Sequence, residues 1–414
     1  MFPNHRLDRQ LRIPGWDQKV LSQAKIGVVG DYDLLASLYL LAAAALGLNQ
    51  IIVLAPHLDA RFLQAARRLN PENHFLFLEG YYAHPHLEVF FQDCQLLVDL
   101  SRYGLANKLA LNHGFQNHLP VIRGFCYEED GQEGFQVFTY KPGREWQDLE
   151  QLITPLNFPG KHFDDGVLDI IVAGFALEET KNLLMGQQVS EEIIGIQREA
   201  LPPIPLDLPI LVVGAGALGN FVGLGLAFAG FHNLTFMDPD VVEVTNLNRQ
   251  VLFFDSVGAP KAAALAARLK EWFGINAQAR VEYFRPGTEV DSYEAVFDCV
   301  DNFATRLALS RTCEASDTIL ISGGTGVSAG QVMVFDPSQG GFSPAQTLGL
   351  EEILARRPPD PYERQRDPCL YQPDPSIIMT NQIIAGFMVE TFRQLLAGQK
   401  PENLFYDATS NKKF

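Results

Sequence analysis

The sequence predicts an α/β fold: two Rossmann-like, doubly wound units joined as an intrachain pseudo-dimer. Three observations carry this. The chain has 414 residues, enough for two domains of ordinary size. Short β-branched runs, turns and apolar helical stretches alternate along it, the pattern of mostly parallel sheets covered by helices. And three blocks recur in the same order, as an internal repeat would.

The first block is strand–turn–helix, where KIGVVGDYDLLA (25–36) lies over PILVVGAGALGN (209–220). The second is a strand ending in a polar turn that opens a helix, LLVDLSRYGLANKLALN (96–112) over AVFDCVDNFATRLALS (295–310). The third is helical, IVAGFALEETKNLL (171–184) over IIAGFMVETFRQLL (383–396). One long α/β domain with chance likenesses is the competing reading, and it leaves the kept order unexplained. Gly30 to Asp99 spans 69 residues and Gly214 to Asp298 spans 84, so the second copy carries an insertion of 15. The segment VTNLNRQVLFFD (244–255) falls in that interval. Residues 1–200 read as one half and 201–414 as the other, with 186–209 as the linker. Pro202, Pro203 and Pro205 in it cannot continue a helix.

The composition, 47% hydrophobic and 20% charged, is ordinary globular material. A net charge of −17 without any basic run argues against nucleic acid or an anionic membrane as the main partner, though a local patch could still hold a tRNA. The five cysteines form no C-x-x-C pair, so neither a zinc knuckle nor a disulfide framework is expected. The N-terminus lacks the apolar core of a signal peptide. The longest apolar run, Leu34 to Leu48, is shorter than the roughly 18 residues of a membrane span and reads as a buried helix. A cytoplasmic location is the expectation.

The chemistry is concentrated in the second half. Gly214-Ala215-Gly216-Ala217-Leu218-Gly219 follows the strand ILVV and opens a helix, a turn that lets backbone N–H groups approach a phosphate. Asp238, 19 residues after Gly219, stands where an acid can hold ribose hydroxyls. To this point NAD and ATP fit equally. Asp240, Asn246, Arg249, Gln250 and Lys261 then add a polar and cationic cluster beyond the ribose position. Hydride transfer has no need of it. Attack of a carboxylate on an α-phosphate does, because negative charge grows on the phosphate oxygens. Asp301, at the end of a later strand, suits a Mg²⁺ bound to those phosphates. Singly, Arg249 or Lys261 could be a surface cation and Asp301 the cap of the helix starting at Asn302. Together with the glycine turn they point to a nucleotide.

As a set, GAGALG (214–219), MDPD (237–240), NLNRQ (246–250), Lys261 and DCVDN (298–302) resemble the adenylation domain shared by ubiquitin-activating enzymes and the bacterial sulfur-carrier adenylyltransferases of the ThiF and MoeB type. The resemblance covers nearly all of 205–400. It implies ATP and Mg²⁺ as cofactors, with Asp238 on the ribose, Asn246, Arg249 and Lys261 on the phosphate side, and Asp301 on the metal. It also implies an arginine supplied by the partner half of a dimer. The motif for that is DRQLRIPG (8–15), and Arg9 is the residue carried over.

Each half lacks what the other holds. In the first, Tyr32 and Leu35 stand at the places of Gly216 and Gly219, Ala55 replaces Asp238, Arg102 falls near the place of Asp301, and no NLNRQ occurs. The second has no DRQLR before its glycine turn. An inactive half lending an arginine to an active half is how two-domain ubiquitin-activating enzymes are built. The chain departs from the eukaryotic type in having no long cysteine-domain insertion and no C-terminal ubiquitin-fold domain. It departs from the sulfur-carrier enzymes in lacking their zinc cysteines. A compact, bacterial-type activating enzyme fits both departures.

Cys369, in RDPCLYQPDPSIIMTNQ, occupies a crossover position similar to that of the thioester cysteine in compact activating enzymes. Arg364, Arg366 and the following helix start would favour its thiolate. An ordinary loop cysteine is the alternative. Cys299 and Cys313 read as core residues, and Cys94 and Cys126 belong to the decayed half. The expected reaction is ATP-dependent adenylation of the C-terminal glycine of a small β-grasp, ubiquitin-like protein, with a thioester on Cys369 and a conjugating enzyme as further steps left open. Adenylation of a peptide or tRNA-bound carboxylate is an alternative, and so is a non-enzymatic module that binds a nucleotide or a partner tail.

Overall fold

The computed structural model describes residues 5–31, 33–80, 84–101, 104–143, 163–356, 374–410 and 413–414. Two seven-stranded sheets dominate it. The first contains β1 (Lys25–Gly30), β2 (Gln50–Ala55), β3 (His74–Glu79), β4 (Leu96–Leu100), β5 (Val121–Glu129), β6 (Gln132–Tyr140) and β7 (Ile194–Glu199), in the order β3-β2-β1-β4-β5-β6-β7. The second contains β8 (Ile210–Val213), β9 (Asn233–Met237), β10 (Asn276–Arg280), β11 (Ala295–Asp298), β12 (Ile319–Thr325), β13 (Ala329–Phe335) and β14 (Leu404–Asp407), in the order β10-β9-β8-β11-β12-β13-β14. The topologies are identical. Five parallel strands are followed in each sheet by two antiparallel ones.

The central strands are short apolar runs buried on both faces, as β8 (ILVV) and β11 (AVFD) are. That is what parallel strands covered by helices require. The edge strand β10, NAQAR, is mostly exposed.

Register fixes which residues correspond. Val29 pairs with Leu54 and Asp99, and Val213 pairs with Met237 and Asp298. Ala55 therefore stands at the place of Asp238, and Asp99 at that of Asp298. One strand further, Asp99 pairs with Arg123 and Asp298 with Ser322.

The halves meet through two long buried helices, Gly166–Leu184 and Ile378–Leu396, which carry the shared Ala-Gly-Phe motif. A Cβ on Gly174 would lie 2.7 Å from Ile383 Cγ1, and one on Gly386 would lie 2.3 Å from Ile171 Cγ1. Ile171 and Ile383 are equivalent, as are the two glycines. Each isoleucine thus lodges over the other half's glycine, the reciprocal contact of an isologous interface. A second pair of equivalents matches within each half rather than across the interface. Cys126 Sγ donates to Asp169 Oδ1 (3.2 Å), and Thr325 Oγ1 donates to Asn381 Oδ1 (3.1 Å). A buried ion cluster also joins the halves: Arg393 pairs with Asp165 through two 2.9 Å bonds, and Arg198 bonds Glu390 and Glu133.

Two features bear on the sequence reading. Residues 194–199 are not linker but β7, paired antiparallel with β6, because Ile194 and Ile196 alternate with polar residues in strand period. The connection narrows to 200–209, where the proline cluster lies. The insertion falls within 239–260, a stretch that folds into two 3₁₀ turns, Val244–Asn246 and Val251–Phe253, before the helix Lys261–Phe273. The first half crosses from β2 to the helix Ala60–Leu69 in residues 56–59. No helix among the described residues is long and apolar enough to cross a membrane.

Candidate active site

The carboxyl ends of β8, β9 and β11 bring the second-half motifs together, at the switch point where strand order reverses. The three glycines of the turn serve different ends. Gly214 has φ +98°, and a Cβ there would lie 2.6 Å from Cys299 O. A Cβ on Gly219 would lie 2.0 Å from Gly214 O, so only glycine lets the helix Ala217–Phe228 start this close to its strand. Gly216 faces open space, with Gln250 Nε2 at 3.9 Å as the nearest neighbour of a Cβ. It is the N-cap and has no side chain to cap the helix. The first-turn N–H groups are thereby left for an anion.

Beside this turn, Asp238 accepts from Ala215 N (2.7 Å) and Asp240 N (2.8 Å). Burial pushes its carboxyl above the ordinary aspartate range, against the pull of Lys261 and the two backbone donors. Lys261 Nζ pairs with Asp240 Oδ2 at 2.9 Å. Asp240 therefore holds the lysine in place. Asn246 is buried and spends its Oδ1 on Glu243 N (2.9 Å) in a capping box. Gln250 is buried beside Gly216, and its Oε1 has no hydrogen-bond partner among the described residues.

Arg249 is buried, and its Nη1 donates to Thr245 O (2.9 Å) and Asn248 Oδ1 (2.7 Å). Burial, followed by the like charge of Arg9, lowers its pKa to about 9, while Asp301 and Glu243 act the other way. The fields of Arg9 and Asp301 therefore reach Arg249, although Arg9 belongs to the first half. Arg9 Nη1 also donates to Asp374 O (2.9 Å), and its carbonyl accepts from Ser376 N (3.4 Å). The DRQLR segment is thus docked on the second half.

Asp301 is exposed in the loop after β11. It is not the helix cap: Asn302 is, its side chain accepting from Thr305 N at 2.8 Å. The other aspartate of DCVDN, Asp298, is fully buried and bonded to Ser322 Oγ (2.6 Å) and Val300 N (3.1 Å), with Arg306 Nε at 3.3 Å. That leaves Asp301 as the carboxylate of this motif open to a ligand. One carboxylate suits Mg²⁺, which keeps waters and takes its remaining ligands from phosphates. No group of three or more metal-binding side chains occurs among the described residues. Cys369 lies outside the described residues. Cys94, Cys126, Cys299 and Cys313 are buried, and burial pushes the Cys94 and Cys313 thiols up to about 12.

The model of the ThiF family matches residues 206–413, half of the chain. The chain belongs to the ThiF family. Among similar proteins, the molybdopterin-synthase adenylyltransferase of Escherichia coli is 35% identical over 139 residues, 32% of this chain and 56% of its own length. The sulfur carrier protein ThiS adenylyltransferase of E. coli is 35% identical over 137 residues, 32% of this chain and 55% of its own. The chain spans about half the length of these relatives. A crystal structure of E. coli MccB with AMPCPP and MccA is 16% identical with a TM-score of 0.40, covering 49% of this chain and 61% of that one.

Within the ThiF half, sequence reasoning passed over residues that hold the site together. Asn220 donates to Ala215 O (3.2 Å) and Gly216 O (3.0 Å) and accepts from Leu252 N (3.1 Å), tying the glycine turn to the inserted segment. Its signal was a lone amide in the otherwise apolar run LGNFVGLGL. Gln10 and Asn248 lay unremarked inside quoted motifs. Among the described residues the first half shows no equivalent cradle. Gly30 stays in β1 paired with Leu100, and Leu35 is buried where Gly219 would be needed. Tyr32 and Arg102 lie outside the described residues.

Proposed function

We propose that this chain adenylates a carboxylate with ATP and Mg²⁺ at a single site, built by the second half and completed by Arg9 from the first. The observation that carries the reading is the convergence of an open glycine turn, a buried ribose-type acid, Lys261, Arg249 and Asp301 with an arginine from the other half. The N–H groups behind Gly216 bind phosphate oxygens, and Asp238 accepts from the ribose hydroxyls. The acceptor carboxylate oxygen attacks the α-phosphorus, the bond to the bridging oxygen breaks, and pyrophosphate leaves. Arg249, Lys261 and Arg9 stabilise the charge that develops in the transition state. Mg²⁺ held by Asp301 would supply further neutralisation of the phosphates.

The acceptor in this reading is the C-terminal glycine of a small β-grasp, ubiquitin-like protein. The name of the ThiS adenylyltransferase relative supports that class. In a second step the Cys369 thiolate attacks the acyl carbon and AMP leaves, giving a thioester. Burial of the four described cysteines supports Cys369 as the reacting thiol.

Exchange of labelled pyrophosphate into ATP, assayed with small β-grasp proteins ending in glycine, tests the reading. Exchange is expected only with the acceptor present, and none with any of them would sink it. Cys369→Ala should keep exchange and lose the reductant-sensitive adduct. The same adduct on that variant would exclude this thiol.

A further inference from the structure

A line of oriented amides runs from the first half into the candidate site. It starts at the carbonyl of Leu46, at the end of the helix Asp33–Leu46. A carbonyl can only accept, so the group facing it is a donor, Gln10 Nε2 at 2.8 Å. The same Nε2 reaches Gln18 Oε1 at 2.6 Å. Gln18 is itself fixed: its Oε1 takes the indole N–H of Trp16 (3.0 Å), and its Nε2 reaches Leu46 O (3.2 Å) and Gly47 O (3.3 Å). Gln10 must therefore turn its oxygen toward Asn248, whose Nδ2 lies 3.1 Å away. That Nδ2 also reaches Ser376 O at 3.3 Å. The remaining atom of Asn248, Oδ1, accepts from Arg249 Nη1 at 2.7 Å. Turning any amide over would set donor against donor or acceptor against acceptor. Gln10 and Asn248 are both 0% exposed, so water cannot substitute for a lost partner.

We infer that Gln10 and Asn248 are positioning residues, which carry the docking of the first half to the Arg249 guanidinium. The inference rests on the reading of the second half as a nucleotide site. With Thr245 O and Asn248 Oδ1 on one nitrogen, the plane of the guanidinium is fixed. Asn248 joins three segments remote in sequence: the DRQLR motif, its own NLNRQ, and residues 374–376, which Arg9 also holds. The first half then gives the site more than Arg9. Through Gln10 it sets the direction of the Asn248 amide that faces Arg249.

Calorimetric titration of ATP into the full-length wild type, Gln10→Leu, Asn248→Leu and the double variant tests this. Asn248→Leu should weaken ATP binding by about tenfold and Gln10→Leu by somewhat less, on the order of one charged hydrogen bond. The double variant should bind no more weakly than Asn248→Leu, since Gln10 acts through Asn248. Asn248→Asp keeps an oxygen for Arg249 and should recover at least half of the lost affinity. It also replaces Asn248→Leu in the cycle if that variant melts below the assay temperature, because an aspartate too cuts the link to Gln10. Additive losses would overturn the relay while leaving the nucleotide site standing. So would an Asn248→Asp protein that folds normally yet binds as weakly as Asn248→Leu. Absence of ATP binding by the wild type would overturn both.

Discussion

The two halves share strand order, register and the isoleucine-over-glycine contact of their interface, and they part company at the carboxyl ends of their strands. Asp99 and Asp298 show what was kept. Both are fully buried at the end of the fourth strand, and both are tied by an arginine, Arg123 at 2.9 Å and Arg306 at 3.3 Å. Once buried, each carboxylate requires its arginine, because a buried charge left unpaired costs several kcal/mol. Asp238 and Ala55 show what was not. In the second half the acid accepts from Ala215 N and Asp240 N beside the glycine turn, whereas the alanine of the first can make neither bond. The comparison teaches that the packing features recur in both halves, while among the described residues the open glycine turn and its neighbouring acid occur in the second alone.

The comparison breaks most readily at Asp301. Asp301→Ala should lower pyrophosphate exchange by several kcal/mol of transition-state stabilisation, roughly 10³-fold, with nucleotide affinity much less affected. Arg9→Ala should also act on turnover more than on affinity, by about 10²-fold, as a charge aimed at reacting phosphates does. A turnover unchanged in Arg9→Ala would make that arginine structural and the site of the second half self-sufficient.

The next effect concerns the ribose position, compared directly between halves. Asp238→Ala gives the second half the residue of the first and should weaken ATP binding by about 1–3 kcal/mol. The reverse change, Ala55→Asp, should create no second site, because Leu35 remains where Gly219 is required. Calorimetry should return one nucleotide per chain for wild type and Ala55→Asp alike. A stoichiometry of two in either would end the description of the first half as incompetent.

Much of this was legible in the sequence for physical reasons. Glycines at a strand–helix turn are dictated by backbone clearance, so GAGALG announced itself, and the shared Ala-Gly-Phe marked the symmetric interface. Asp238, Arg249 and Lys261 stand out in the sequence through their spacing after the glycine turn and the charge that attack on a phosphate would require. The relay through Gln10 and Asn248 was not legible, since an amide's partners depend on segments hundreds of residues away. The pairing of Asp240 with Lys261 was not legible for a related reason: the two are 21 residues apart, and only the fold brings them to 2.9 Å. Strand β7 was hidden by the prolines that follow it.

A smaller effect should be equal in the two halves. Gly174→Ala and Gly386→Ala each drive a methyl into an isoleucine of the opposite helix, which costs about 1–3 kcal/mol of overpacking. Against this stands the ~1 kcal/mol that alanine gains over glycine in a helix. Both variants should lose a similar, modest amount of stability in urea unfolding. Ile383→Ala should relieve the first and Ile171→Ala the second. A large loss in one with none in the other would show that the interface is not reciprocal.

The smallest expected effect is on pH, and only the second half can show it. Burial raises the Asp238 carboxyl above its unfolded value, so the unliganded folded chain takes up a proton more readily than the unfolded one. This group's contribution to stability is therefore present at low pH and is lost as pH rises through the folded-state value. Binding runs the other way. The ionised carboxylate, already accepting from Ala215 N and Asp240 N, has lone pairs left for ribose hydroxyls, and protonation removes part of that capacity. Adenosine, which carries no titrating phosphate, is the suitable probe. Its affinity for the wild type should fall as pH drops from neutral through the raised titration of Asp238, and binding at the acid end should release protons into the buffer. Asp238→Ala should bind weakly with a flat profile over the same range. Parallel slopes in the two proteins would mean that another group titrates, and that Asp238 is held in place for the glycine turn rather than for the ribose.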